Sequence, residues 1–193
     1  TGDEAFDREI LASALVGRES SGIEGFPRLI GYGEFDGGGM PEQLKNVLLD
    51  ASKDQSLSIQ ERRDARGCVG HTGPMKVAVI GDAGDVSLRS YLIGLRERPV
   101  DPVWIRKFMF QIVWAMYVIQ AKYGFVHNDL KTENVMFRAA QNAQVYRYGI
   151  PTHGRDRADY FELDIQPGDP IVQIIDFGTA HLVTGLPNFA DMQ

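Results

Sequence analysis

The sequence predicts an α+β fold on three observations. A long apolar tract bounded by Asp101-Pro102 and Gly124 has the spacing of a helix, and residues 3–16 carry a second helical pattern. Short runs rich in β-branched residues, at 75–80, 135–137 and 171–175, have the length of strands. At 193 residues the chain suits one domain with a real core, and 44% hydrophobic against 24% charged residues is a globular balance.

Taken in order, Asp3 can cap the first helix, Phe6, Ile10 and Ala14 fall at i, i+4 and i+8, and Gly17 can end it. Residues 25–35 read as a turn leading into a strand. Residues 36–74 hold Gly37-Gly38-Gly39, many charges and few apolar side chains. They predict an inserted loop, with a short helix around Pro41 to Ser52. Its run of Glu61, Arg62, Arg63, Asp64 and Arg66 reads as a solvated face. Met75 to Ile80, closed by Gly81, predicts a buried strand.

The strongest helix follows. Asp101 caps it, Pro102 opens its first turn, and Ile105, Phe108, Met109, Ile112, Met116 and Ile119 make a continuous apolar face. Phe110, Val113, Trp114 and Val118 make the other faces apolar too, which predicts burial on several sides, the Met and aromatic residues being core. Beyond it, Val135-Met136-Phe137 and Ile171 to Ile175 predict two short strands. Between them, within residues 138–170, Val145 to Tyr148 and Tyr160 to Leu163 predict a hairpin. That hairpin is either a docking element or a tolerated surface loop, the second being the plainer reading.

Charge and composition narrow the partners. A net charge of −6 and a pI near 5.2 argue against a nucleic-acid binder held by bulk charge. The apolar tract 108–121 is interrupted by Gln111 and Gln120 and is too short for a membrane segment. Cys68 stands alone, so no intrachain disulfide forms; a buried thiol and a reducing, intracellular compartment, cytoplasmic or nuclear, are the simplest expectation. No signal peptide opens the chain, and the missing initiator Met leads us to expect a trimmed chain or part of a longer protein.

The chemistry concentrates in Val126-His127-Asn128-Asp129-Leu130-Lys131-Thr132-Glu133-Asn134-Val135 and in Ile174-Ile175-Asp176-Phe177-Gly178. One acid, one cation and one amide share a short loop, and a second acid ends an apolar run. Phosphoryl transfer needs that set: a carboxylate for a hydroxyl proton, a lysine for phosphate charge, and two oxygen ligands for Mg²⁺.

The first segment resembles the catalytic loop of the protein kinases, and the second resembles their Asp-Phe-Gly motif. The resemblance implies a protein-kinase-like fold. Residues 1–100 would form part of the N-lobe (the family's C helix and its fourth and fifth strands) and the hinge, with the insertion at about 36–74. Residues 101–193 would begin the mainly helical C-lobe, with an insertion at about 138–170 that carries the extra hairpin. It also implies ATP and Mg²⁺ as cofactors and a protein Ser/Thr hydroxyl as substrate. Asp129 would be the general base and Lys131 would face the γ-phosphate, a lysine there resembling serine/threonine kinases; Asn134 and Asp176 would hold Mg²⁺. Glu9 would partner the ATP-anchoring lysine, and the hinge backbone at Gly81, Asp82, Ala83 and Gly84 would pair with adenine. Gly84-Asp85-Val86-Ser87-Leu88-Arg89-Ser90-Tyr91-Leu92 resembles the hinge running into the following helix, and His127 would brace the loop.

Departures from the family pattern accompany the matches. Asn128 replaces the usual arginine before the catalytic aspartate, which puts control by loop phosphorylation in doubt. The ATP-anchoring lysine is not visible, and no Ala-Pro-Glu follows Gly178. Gly31-Tyr32-Gly33-Glu34-Phe35-Asp36 also resembles a glycine-rich phosphate loop. Ile80 would then stand for the lysine, and residues 81 to about 100 leave too little chain for what must follow. His71, His127, His153 and His181 lack zinc-ligand spacing.

The expected function is ATP-dependent phosphoryl transfer to a protein Ser/Thr hydroxyl, as part of a longer divergent serine/threonine protein kinase. The first alternative is a kinase-like structural or interaction module, working with other proteins of a larger assembly such as a virion. The second is a small-molecule phosphotransferase of the aminoglycoside or choline kinase type, for which Lys131 and Phe177-Gly178 fit less well.

Overall fold

The computed structural model describes residues 2–19, 25–35, 39–55, 57–81, 83–95, 99–150 and 159–182. It is a mixed α+β structure whose chain divides into two compact units, residues 31–79 and the remainder.

In the smaller unit, strands β1 (Leu29–Phe35) and β2 (Met75–Ile80) pair in a two-stranded sheet, and helices α2 (Glu42–Ala51) and α3 (Ile59–Gly70) pack on each other. Helix α2 falls where the sequence placed its short helix. Helix α3 was not foreseen, yet its start is written locally. Ser58 Oγ accepts from Glu61 N at 3.2 Å while Glu61 Oε2 accepts from Ser58 N at 2.6 Å, a reciprocal capping box. Two expectations are corrected here. Val79 and Ile80 are exposed, so β2 is not a buried strand: an apolar run shows what could be covered, not what covers it. Cys68 is half-buried on α3 rather than buried.

The larger unit is organised on α5 (Pro102–Tyr123). Asp101 Oδ1 accepts from Val103 N at 2.9 Å, Pro102 fills the first turn, and Gly124, at φ 61°, closes the helix through its N–H to Gln120 O. Helix α1 (Gly2–Glu19) is longer than the 3–16 expected; Asp3 lies within it rather than capping it, and the helix continues past Gly17. Strand β3 (Val86–Ser87) leads into α4 (Leu88–Leu95). It edges an antiparallel sheet of order β3-β5-β8, with β5 Val135–Ala139 and β8 Pro170–Ile174.

Ala12 and Val16 of α1, Phe108, Ile112 and Ile119 of α5, Phe137 of β5 and Ile174 of β8 share one core with Phe26, Phe125 and Phe177. The predicted hairpin is present as β6 (Gln144–Ile150) and β7 (Asp159–Ile165), with Tyr148 opposite Phe161. Its Tyr148, Leu163 and Ile165 form a second core with Ile171, onto which Phe110 and Trp114 of α5 pack.

Gln111, which the sequence shows as a break in the apolar tract, is a buried clamp. Its Nε2 donates to Pro170 O at 2.8 Å and its Oε1 accepts from Val172 N at 3.1 Å. Ile174 N donates to Gly25 O at 2.9 Å. On the side of β8 away from β5, Pro170 O, Val172 N and Ile174 N are thereby paired inside the core. The continuous apolar face expected of α5 is only partly covered: Phe108, Ile112 and Ile119 are buried, but Ile105 and Met109 are exposed, as is Val113 on the other faces expected to be buried. Among the described residues, no helix is long and apolar enough to cross a membrane.

Candidate active site

Strand pairing positions the site. Strand β4 (Phe125–Val126) pairs with β9 (His181–Leu182), and β5 pairs with β8 so that Val135 lies opposite Ile174. The loop 127–134 and the segment 175–180 therefore leave the ends of paired strands side by side. Ile175 N donates to Asn134 O at 2.9 Å, which brings Asn134 beside Asp176.

Four of the sequence-predicted residues meet there. Lys131 Nζ donates to Asp129 Oδ2 at 2.6 Å. The Asn134 amide nitrogen donates to Asp129 O at 2.9 Å, to Asp129 Oδ2 at 3.2 Å and to Asp176 Oδ2 at 3.1 Å. Asn134 is buried, whereas Lys131 and Asp176 are exposed. The hydrogen bond from Lys131 holds the Asp129 carboxyl below the usual carboxylate range, and Asp129 in return raises the Lys131 ammonium. The pair is charged at neutral pH.

His127 organises the loop from beneath. It is buried, and its Nε2 lies 3.1 Å from Ile175 O, a contact that requires Nε2 to carry the proton. Nδ1 is then free to accept from Asp129 N at 3.4 Å. Phe177, also buried, packs on His127, Phe125 and Phe26 at centroid distances of 5.5, 5.8 and 6.0 Å. Asn128 and Asp176 both hold φ near the left-handed region, 63° and 68°. For residues other than glycine this costs about 1–3 kcal/mol each and is concentrated at sites where geometry matters.

Asn128, which the sequence shows only as a departure from the family pattern, and Thr179 and Arg89, to which it gives no role, tie the loop down. Asn128 Nδ2 donates to Thr179 O at 3.0 Å, and Thr179 Oγ1 donates to His127 O at 3.2 Å. From α4, Arg89 N donates to Thr132 O at 3.1 Å, and the Arg89 side chain pairs with Glu133. Asn128 was legible as a residue that tolerates positive φ. Arg89 and Thr179 carry no local signal.

Glu9 of α1 approaches from another side. A Cβ built on Gly178 would stand 3.7 Å from Glu9 Oε2 and 3.5 Å from Asp176 Oδ1, so the two carboxyls flank Gly178. Burial first, and the Asp176 charge second, push the Glu9 carboxyl up. No lysine or arginine among the described residues pairs with it. The hinge residues lie elsewhere on the unit. Gly81 N donates to Arg28 O at 2.8 Å, which commits that amide. Gly84 sits at φ 99°, where a Cβ would meet the Phe137 backbone at 2.9 Å, and Asp85 N donates to Phe137 O at 3.0 Å. Asp82 lies outside the described residues.

The donor set suits a hard cation in part. Asp176 offers carboxylate oxygens and Asn134 an amide oxygen, the ligand chemistry of Mg²⁺, which keeps waters and substrate oxygens for its other positions. As placed, Asn134 turns its nitrogen to the two carboxylates, so ligation requires the amide to rotate and present Oδ1. Among the described residues, no group of three or more His, Cys, Asp and Glu could hold a metal ion. Comparison of the chain with protein-family models and with curated proteins returns no match.

Proposed function

We propose that the chain carries a protein-kinase-like site that transfers the γ-phosphoryl group of MgATP to a Ser/Thr hydroxyl of a protein. The observation that carries this reading is the Asn134 amide, which joins Asp129 and Asp176 with Lys131 alongside. General base, phosphate-facing cation and two oxygen ligands thus stand together, although the second acid lies in a separate segment.

In this reading Asp129 accepts the hydroxyl proton as the oxygen attacks. Its lowered pKa makes it a weak base, suited to taking the proton late, when the oxygen is already bonding to phosphorus. Lys131 leaves Asp129 to face phosphate oxygens, where its charge offsets the growing negative charge. Asn134 and Asp176 hold Mg²⁺, which supplies charge neutralisation on the phosphates when bound. His127 and Thr179 fix the loop so that these groups keep their places.

A second reading, a kinase-like interaction module, is favoured by Glu9: it faces Asp176 rather than a cation. Calorimetric titration with MgATP separates the two. The enzyme reading requires saturable binding that needs Mg²⁺ and is lost in Asp176→Ala; binding of neither ATP nor Mg²⁺ supports the module.

A further inference from the structure

Away from the site, α5 and the β6–β7 hairpin enclose a groove of about 590 Å³ lined by Val103, Arg106, Met109, Val113, Phe161 and Leu163, with Lys107 and Phe110 completing its wall. Along α5 the groove continues as an apolar stripe: Met109, Val113 and Tyr117 recur every four residues and are 48, 60 and 44% exposed. Residues at that spacing lie on one helix face, and the span from Val103 to Tyr117 covers about 21 Å, roughly four turns. The hairpin makes the other side. Phe161 packs on Phe110 in a tilted pair with centroids 4.6 Å apart, and Leu163 is buried.

The charges single out the occupant. Helix α5 carries Arg106, Lys107 and Lys122 and no acidic residue. Lys107 pairs with Asp169, whereas Arg106, in the groove lining, has no acidic partner among the described residues. A second copy of α5 would bring like charges together, and a lipid surface calls for a convex face with clustered cations. A concave apolar channel along a helix, lined by a cation with no acidic partner among the described residues, fits an apolar ridge bearing a carboxylate. We propose that this groove is a docking site for an acidic amphipathic helix of a partner protein. The hairpin is thereby a docking element rather than a tolerated loop.

The test reads binding alone, so it succeeds or fails independently of phosphoryl transfer. The whole chain, with labelled methyl groups, is titrated with a synthetic 16-residue helical peptide carrying Leu along one face and Glu on its flanks. A matched peptide with Lys in place of each Glu serves as control. The acidic peptide should shift Val103, Met109 and Val113 saturably and bind at least tenfold more tightly than the Lys peptide. Arg106→Glu should reverse that preference, and Val113→Glu, at an exposed position, should abolish binding with the melting temperature unchanged. Equal binding of both peptides, or a preference that Arg106→Glu leaves intact, overturns the proposal. So do concentration-dependent dimerisation through the groove and binding to anionic vesicles without peptide binding.

Discussion

Asn134 Nδ2 stands 3.1 Å from Asp176 Oδ2 and 3.2 Å from Asp129 Oδ2, so one buried amide links two carboxylates. Two like charges brought together need something positive between them, and here the amide hydrogens supply it. Of these three residues, Asn134 and Asp176 are the ones assigned to the cation, and their coupling makes the assignment testable.

Replacing Asn134 with Asp removes the donor and adds a third carboxylate. Asn134→Asp should lower stability by about 1–3 kcal/mol, since a buried donor is replaced by a buried charge and like charges meet. The melting temperature should fall by about 2–4 °C per kcal/mol for a chain of this size. Millimolar Mg²⁺ should restore much of the loss, because a ligand that binds only the folded state stabilises it. A melting curve indifferent to Mg²⁺ in this variant removes Asn134 from the ligand set.

The Asp129–Lys131 pair sets a pH dependence. Asp129 titrates below its ordinary value, so its contribution is present above the unfolded carboxylate pKa and is lost as pH falls through the folded one. Lys131 is raised, so its contribution is present below the unfolded lysine pKa and is lost as pH rises through the folded one. Lys131→Met should therefore move the Asp129 carboxyl, followed by ¹³C NMR, upward toward the free-aspartate range. An unmoved titration would show that the pair does not persist in solution.

Glu9 behaves in the opposite sense. Its raised pKa means that its ionisation opposes folding: the contribution is full below the unfolded Glu pKa and declines as pH rises through the folded one. Glu9→Gln should melt higher than the parent once pH has risen past the raised Glu9 pKa, and the two should converge near pH 3, below the ordinary Glu pKa of about 4.3. A parallel pair of curves across that range would mean that Glu9 is not buried beside Asp176.

Gly84 makes a backbone prediction. At φ 99° with Phe137 backbone atoms 2.9 Å from any added Cβ, Gly84→Ala meets both strain and a clash. The conformation alone costs about 1–3 kcal/mol. Gly168, at φ 90° in open space, carries the strain without the clash. Urea denaturation should rank Gly84→Ala as the more damaging, and equal losses would show that the close approach to β5 relaxes at no cost.

Legibility followed locality. Helix α5 was readable at both ends because Asp101, Pro102 and Gly124 act on their own neighbours, and the hairpin because Tyr146, Tyr148, Phe161 and Leu163 sit in runs of strand length. Helix α3 was equally readable from Ser58 and Glu61, but its polar composition masked the capping box. The exposure of Met109 and Val79 was not readable, since apolar character does not reveal which neighbour arrives. At the site, Asp129, Lys131, Asn134 and Asp176 were legible as residue types at known spacing. Their mutual distances, the Arg89–Glu133 tether and the nearness of Glu9 to Asp176 depend on strand register and helix packing, which no local pattern encodes.

The central claim is that Asp129 and Asp176 serve one reaction. Phosphate transfer from γ-labelled ATP to a generic protein substrate, with and without Mg²⁺, tests it most directly when the parent is run beside Asp129→Asn and Asp176→Ala. The account predicts Mg²⁺-dependent transfer that Asp129→Asn reduces by about 10²–10⁴-fold, the worth of one positioned base, and that Asp176→Ala also reduces by removing a Mg²⁺ ligand. Transfer that survives either substitution, or a parent that transfers nothing, contradicts it.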